Sequence, residues 1–172
     1  MKKLFISLAA ILIGFFTVSL VLNGQPDLPK ATNKPQAVNG ILDLADWNWE
    51  QDGIIRLDGQ WEFYWQELLS PEDFTNTANL TTENHITVPR AWNKYKIDGQ
   101  ELSSQGYATY RLRIYSPGQQ ILGLKIPRIF TSYKLWANGQ LLASAGKVAV
   151  NKEQMVPQYL PQVAISSLLT GP

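Results

Sequence analysis

The chain has 172 residues, of which 45% are hydrophobic, and this length favours one globular domain with a buried core. Its 15 Lys and Arg residues are balanced by 14 Asp and Glu residues, so composition does not indicate the concentrated basic surface that nucleic-acid binding requires. The absence of cysteine and the single histidine exclude a disulfide framework, thiolate metal sites and a multi-histidine metal site, and no cofactor is expected.

The N-terminus carries an uncharged, mostly apolar run over residues 4–22, which follows Lys2 and Lys3. As a helix this run would be about 28 Å long, close to the thickness of a bilayer core. Its length predicts an uncleaved signal anchor, and a cleaved signal peptide is the alternative. Because the lysines favour a cytoplasmic N-terminus, both interpretations place residues 23–172 outside the cytoplasm, at the cell membrane.

Residues 23–39 are rich in proline and amide side chains and lack apolar periodicity, which is typical of an extended linker. Residues 40–172 then form the predicted domain. Its first clear strand is "GQWEFYW", where Trp61, Phe63 and Trp65 alternate with Glu62 and Tyr64 in the period of two that suits a half-buried strand.

Further alternating segments follow at residues 109–115, 122–126 and 133–137. The dipeptide Asn138-Gly139 predicts a type I′ hairpin between the strands "YKLWA" and "QLLASAG". The segment "SPED" from Ser70 predicts one helical turn, with serine as the N-cap and proline in the first turn. Short antiparallel strands without long crossover helices favour an all-β sandwich.

Five segments in this order carry a family resemblance: "LDGQWEFYW", "VPRAWN", "GYATYRLRI", "LGLKIPRIFTSYKLWANGQLLASAG" and "VPQYLP". Together they resemble the second type of extracellular domain of bacterial seven-transmembrane receptors with diverse intracellular signalling modules. More distantly, they are similar to the sugar-binding domain of family 2 glycoside hydrolases. The resemblance implies an all-β, galactose-binding-like jelly-roll β-sandwich that senses carbohydrates or related small molecules.

Members of that family continue into a further strand, seven membrane helices and a signalling module. The chain is therefore expected to be truncated at its C-terminus and to lack the transmembrane and output parts of a signal-transduction receptor.

The loop after "VPRAW" is the first candidate ligand site. Trp92 or Tyr95 could stack on a sugar ring, and Gln105 and Tyr107 lie in the polar loop that follows. For Trp92 the alternative is a structural role in closing the core.

Arg111 and Arg113 are predicted to point to one face, away from a core stripe of Tyr110, Leu112 and Ile114. Their planar forks could bind ligand oxygens, or they could form an internal salt bridge. Asn138 could bind sugar hydroxyls, although the hairpin turn alone explains an asparagine there. His85 is expected to be solvent-facing or capped.

No pair of carboxylates with the pattern of a glycosidase, no phosphate-binding loop and no serine elbow is apparent, so the protein is predicted to be non-catalytic. The leading hypothesis is an extracytoplasmic, membrane-anchored sensing domain for a carbohydrate-like ligand. The alternatives are a protein-interaction sandwich that binds no small molecule and an accessory sugar-binding domain of a glycoside hydrolase. The interaction module is favoured if Trp92, Arg111 and Arg113 do not share an open, concave face.

Overall fold

The computed structural model describes residues 34–75, 84–118 and 120–168, and this part of the chain is almost entirely β-structure with very little helix. The strands are β1 (Ile41–Asp43), β2 (Gly59–Trp65), β3 (Asn84–Val88), β4 (Lys96–Ile97), β5 (Gln100–Glu101), β6 (Ala108–Arg111), β7 (Arg113–Tyr115), β8 (Gln120–Ile126), β9 (Tyr133–Ala137), β10 (Gln140–Ala145) and β11 (Gln162–Leu168). The helical elements are α1 (Trp49–Asp52) and two 3₁₀ turns, Pro71–Phe74 and Trp92–Lys94. The all-β prediction is confirmed.

The predicted membrane segment at residues 4–22 lies outside the described residues. Across the described ranges, no helix has the length and apolar character needed to cross a bilayer.

The sheet that organises the candidate site has three antiparallel strands in the order β3-β2-β6, with β2 in the centre. The other strands pair as two-stranded units: parallel β1-β7, and antiparallel β4-β5, β9-β10 and β8-β11. Because β6 pairs with β2 whereas β7 pairs with β1, the chain changes partner at Leu112.

The predicted hairpin is confirmed. Asn138 and Gly139 join β9 to β10 with φ values of 50° and 79°, and Gln140 faces Ala137 across the ladder. Positive φ at both central residues is what a type I′ turn requires, and asparagine and glycine tolerate it best.

The helical turn predicted after Ser70 is also confirmed, as the 3₁₀ turn Pro71–Phe74. The backbone N–H and the hydroxyl of Ser70 donate to Asp73 Oδ2 at 2.7 and 2.8 Å. These two hydrogen bonds lower the pKa of Asp73 below its ordinary value, because they stabilise the carboxylate. The turn places Phe74 beside β2 and β6, with its ring 5.5 Å from that of Tyr64.

Among the residues that the structure describes, three clusters of buried apolar residues form the core. The first contains Ala37, Leu42 and Leu44, the second Phe63, Ile86 and Leu102, and the third Ile126, Ala143 and Ala164.

Ala37 joins the fold although the sequence placed it in the linker. Its N–H donates to the carbonyl of Asp58 at 2.8 Å, and its carbonyl accepts from the N–H of Gln60 at 2.7 Å.

The predicted half-burial of β2 is wrong. Glu62 and Tyr64, expected on an open face, are as fully buried as Phe63 on the opposite face. The reason is the position of β2 between two hydrogen-bonded neighbours, where side chains from β6, β7 and the Pro71–Phe74 turn cover it. Trp61 and Trp65 are half-buried and pack on the first and second core clusters, respectively.

Candidate ligand-binding site

Strand register assigns the candidate residues to two faces of the three-stranded sheet. Glu62 lies opposite His85 of β3 and Arg111 of β6, whereas Phe63 lies opposite Tyr110. Directly paired residues share a face and successive residues alternate between faces. One face, here called the charged face, therefore carries Glu62, His85, Arg111 and, two residues further on, Arg113. The other, the aromatic face, carries Phe63 and Tyr110.

The charged face is organised around the buried carboxylate of Glu62. Arg113 Nη2 lies 2.8 Å from Glu62 Oε1, and Arg111 Nη1 lies 3.4 Å from Glu62 Oε2. The Tyr64 hydroxyl donates to Oε2 at 3.0 Å. The Glu62 side chain is 0% exposed, whereas those of Arg111 and Arg113 are 30% and 40% exposed. The arginines thus reach from a buried anion to solvent, and the predicted internal salt bridge is confirmed.

Neighbouring groups restrict these side chains. The Arg111 guanidinium lies over the Phe74 ring, with Cζ 4.5 Å from its centroid, a cation–π arrangement. Gly40 packs against Glu62 so closely that an added Cβ would lie 2.5 Å from Glu62 Cγ, and its φ of +73° also favours glycine. The Gly40 carbonyl accepts from the Arg113 N–H at 2.9 Å. Backbone and ring contacts therefore hold the charged groups in place.

The predicted same-face placement of Arg111 and Arg113 follows from the chain between them. Tyr110 packs on the second core cluster, and Leu112 and Ile114 pack on the first. Burial of this alternating stripe, as the sequence predicted, turns both arginines to the opposite face.

His85 is a member of the charged face that the sequence did not identify. It is half-buried, and its Nε2 is buried without a hydrogen-bond partner among the described residues, so the ring is only partly solvent-facing and is not capped at Nε2. A single histidine in a polar segment gives no local signal of burial, because only the register with Glu62 brings it onto this face.

Trp92 and Tyr95 pack on the aromatic face, where their polar atoms bond to the protein itself. Trp92 Nε1 donates to the carbonyl of Ser103 at 2.9 Å, and its ring centroid lies 5.5 Å from that of Trp65. The Tyr95 hydroxyl accepts from the N–H of Thr87 at 2.7 Å and donates to its carbonyl at 3.2 Å. These contacts match the structural alternative for Trp92.

The loop with Gln105 and Tyr107 covers the same aromatic face. Gly106 lies against the Trp65 ring so tightly that an added Cβ would overlap it. Gln105 is exposed, and the half-buried Tyr107 accepts from the Gln66 N–H at 2.9 Å through its carbonyl. Asn138 lies elsewhere, at the exposed tip of the β9-β10 hairpin. The seven predicted site residues are therefore divided among three places.

Burial also raises the pKa of one side chain on the aromatic face, that of Tyr110. Desolvation, with a smaller contribution from nearby Tyr95, raises the pKa of Tyr110 to about 12. Its ring packs edge-on against Phe63, with centroids 5.0 Å apart. The phenolate form is disfavoured there because burial removes water from the charge.

The sequence also gave no indication of an exposed aromatic pair. Phe130 and Tyr159 are 75% and 62% exposed, and their ring centroids are 5.5 Å apart. Both lie in loops outside the strands, where the period-two pattern gives no information.

The charged face offers cationic hydrogen-bond donors. Within residues 34–75, 84–118 and 120–168, no group of three or more His, Asp and Glu side chains is arranged to hold a metal ion. Comparison of the chain with protein-family models, curated proteins and solved structures gave no match.

Proposed function

We propose that this protein is a non-catalytic, carbohydrate-sensing jelly-roll domain of a bacterial membrane signal-transduction receptor. In this proposal the domain lies outside the cytoplasm, and residues 4–22 tie it to the membrane. The all-β fold is compatible with a jelly roll, and the order of the five family-like segments supports the receptor class.

The observation that carries the proposal is the pair of partly exposed arginines anchored on the buried Glu62. Arg113 and Arg111 lie 2.8 and 3.4 Å from its oxygens, and both reach solvent. A guanidinium held at one edge can present its other N–H groups to a ligand with two adjacent oxygens, such as a sugar diol. Because these side chains are already restricted, they lose less conformational entropy when a ligand binds them.

A thermal-shift screen of the complete chain against a panel of monosaccharides tests this proposal. A ligand at about 100 times its Kd stabilises the folded state by about 2.7 kcal/mol, which gives a measurable rise in melting temperature. The substitution Arg111→Gln should reduce the shift. Arg56→Gln is the matched control, since it removes an arginine from an ion pair with Asp58 elsewhere on the surface.

Two outcomes would contradict the proposal. One is a panel in which no sugar raises the melting temperature. The other is a shift that Arg111→Gln and Arg56→Gln reduce equally, since the charged face would then have no specific part in binding.

The second candidate function is a protein-interaction domain. It is favoured by the position of Trp92, which does not share a face of the sheet with Arg111 and Arg113.

The β8-β11 unit also favours this function. Ile121, Val163 and Ile165 are 79%, 71% and 71% exposed, and strand alternation puts them on one face of this ribbon. Exposed apolar patches often mark interaction sites. Replacing Ile165 with serine leaves sugar-induced shifts unchanged if the first proposal is right.

A further inference from the structure

The charged face contains more positive than negative charge. One carboxylate, Glu62, is paired with two guanidiniums, those of Arg111 and Arg113. His85 adds no negative charge in either protonation state, and the Tyr64 hydroxyl that donates to Glu62 is neutral. Among the described residues, the ion pairs of the charged face therefore have a net excess of one positive charge.

The donors that remain available belong chiefly to Arg111. Among the described residues, Nη1 is the only side-chain nitrogen of Arg111 with a hydrogen bond, at 3.4 Å to Glu62, and neither Nε nor Nη2 is a buried unpaired atom. They consequently reach solvent. Arg113 is the more exposed of the two, at 40% against 30%, but its Nε is buried without a partner among the described residues and its Nη2 lies against Glu62, so only Nη1 remains available. The pair of adjacent donors that a carboxylate needs is therefore available at Arg111, the guanidinium that lies over the Phe74 ring.

We infer that the ligand held by Arg111 and Arg113 is an acidic sugar, in which a carboxylate on the ring meets the Arg111 fork. The inference rests on the proposed function and specifies the substrate class of the same site. A neutral sugar would leave the excess charge uncompensated, whereas a carboxylate supplies one negative charge and two oxygens in the plane that a guanidinium matches. Because the two arginines share the single carboxylate of Glu62, they can still bind a second anion, here the carboxylate of the sugar.

Calorimetric titration of the complete 172-residue chain with D-glucuronate and D-glucose tests the inference. The two sugars differ at one carbon, where a carboxylate replaces a hydroxymethyl group. A guanidinium–carboxylate pair, in which both partners are charged, is stronger than a bond from a guanidinium to a neutral hydroxyl, so D-glucuronate should bind about tenfold more tightly or better. Raising sodium chloride from about 20 to about 500 mM should weaken its binding severalfold and leave that of glucose unchanged.

Substitutions at Arg111 locate the effect. In Arg111→Gln the affinities for D-glucuronate and D-glucose should differ by no more than about twofold, because the positive charge that pairs with the carboxylate is gone. Arg111→Lys keeps the positive charge but not the planar fork, so D-glucuronate should bind it more weakly but with the same dependence on salt. This variant replaces Arg111→Gln in the test if the glutamine variant does not fold. Arg56→Gln should bind both sugars as the unaltered chain does. Circular dichroism checks the fold of each variant.

Equal affinity for the two sugars would overturn the inference and leave the proposed function standing. Acetate binding as tightly as D-glucuronate would also overturn it, since the ring would then contribute nothing. If neither D-glucuronate nor any neutral sugar binds, the inference and the proposed function both fail.

Discussion

Residues 37–115 and residues 120–168 bury their apolar side chains in different ways. The first region contains Phe63, Tyr64 and Leu42, whose exposure is 1% or less. The core cluster of the second is centred on Ile126 and two alanines, and its larger members are half-buried. Both regions are built of short strands, yet only the first encloses large side chains together with a buried charge.

This difference shows which part of the molecule is suited to hold a ligand in a fixed geometry. In the first region, Gly40, Tyr64 and Phe74 restrict the groups around Glu62. In the second, Ile121, Phe130 and Val163 face solvent, where their conformations are set by few neighbours. We therefore expect substitutions in the first region to change stability and binding strongly, and those in the second to change them little.

The largest effect should come from Phe63→Ala. The ring is fully buried, with Trp65 and Tyr110 centroids at 6.0 and 5.0 Å, and its loss leaves a cavity worth about 4 kcal/mol of unfolding free energy. The matched change in the second region is Leu135→Ala, at a half-buried position, with an expected loss of about 1.5 kcal/mol. Urea unfolding measures the loss of unfolding free energy in both variants. Equal losses would show that the cores of the two regions do not differ in this way.

The next largest effect should come from Glu62→Gln. Removing the buried carboxylate leaves the Arg111 and Arg113 charges together without an anion, and we expect a loss of about 2 kcal/mol after allowing for their partial exposure. The control is Asp58→Asn, which breaks the surface ion pair with Arg56 and should leave the urea midpoint unchanged. A Glu62→Gln protein as stable as the original would mean that solvent already screens the charged face.

A smaller effect should appear at alkaline pH through Tyr110. Its folded-state pKa of about 12 exceeds the ordinary value of 10.0, so the folded protein keeps the proton longer than the unfolded chain does. Stability is unaffected below pH about 10 and falls as pH rises from about 10 to about 12. Tyr110→Phe should remove this part of the decline in urea midpoints. If Tyr110→Phe leaves the decline of the urea midpoint with pH unaltered, other titrating groups cause that decline.

The smallest effect should come from Ile165→Ser on the exposed face of β11. Its side chain is 71% exposed, so the unfolding free energy should change by less than about 0.5 kcal/mol. A loss larger than 1 kcal/mol that depends on protein concentration would indicate self-association through this face, because association stabilises the folded state by mass action.

Local chemistry explains which parts of the fold could be predicted. The Asn138-Gly139 turn, the Ser70 cap and the alternation of Arg111 and Arg113 with their apolar neighbours depend on residues close in sequence. Burial of Glu62 depends instead on the pairing of β2 with strands distant in sequence on both sides. Period-two alternation distinguishes two faces but does not say whether one or both are covered.

The candidate site was only partly predictable for the same reason. The sequence identified Arg111 and Arg113 and their internal salt bridge, but not their shared partner Glu62 or the neighbouring His85. It also grouped Trp92 with the arginines, whereas the structure places them on opposite faces of the sheet. Proximity in sequence suggested one site, and strand alternation separates its members.

The most direct test of the account is an NMR titration with the sugar that gives the largest thermal shift. It would follow the Nε–H signals of Arg111 and Arg113 together with the indole N–H signal of Trp92. If the charged face binds the ligand, the arginine signals will move with a common Kd, and the Trp92 signal, fixed by its bond to Ser103, will stay in place. Movement of the Trp92 signal with the arginine signals unchanged would contradict the account and assign binding to the aromatic face.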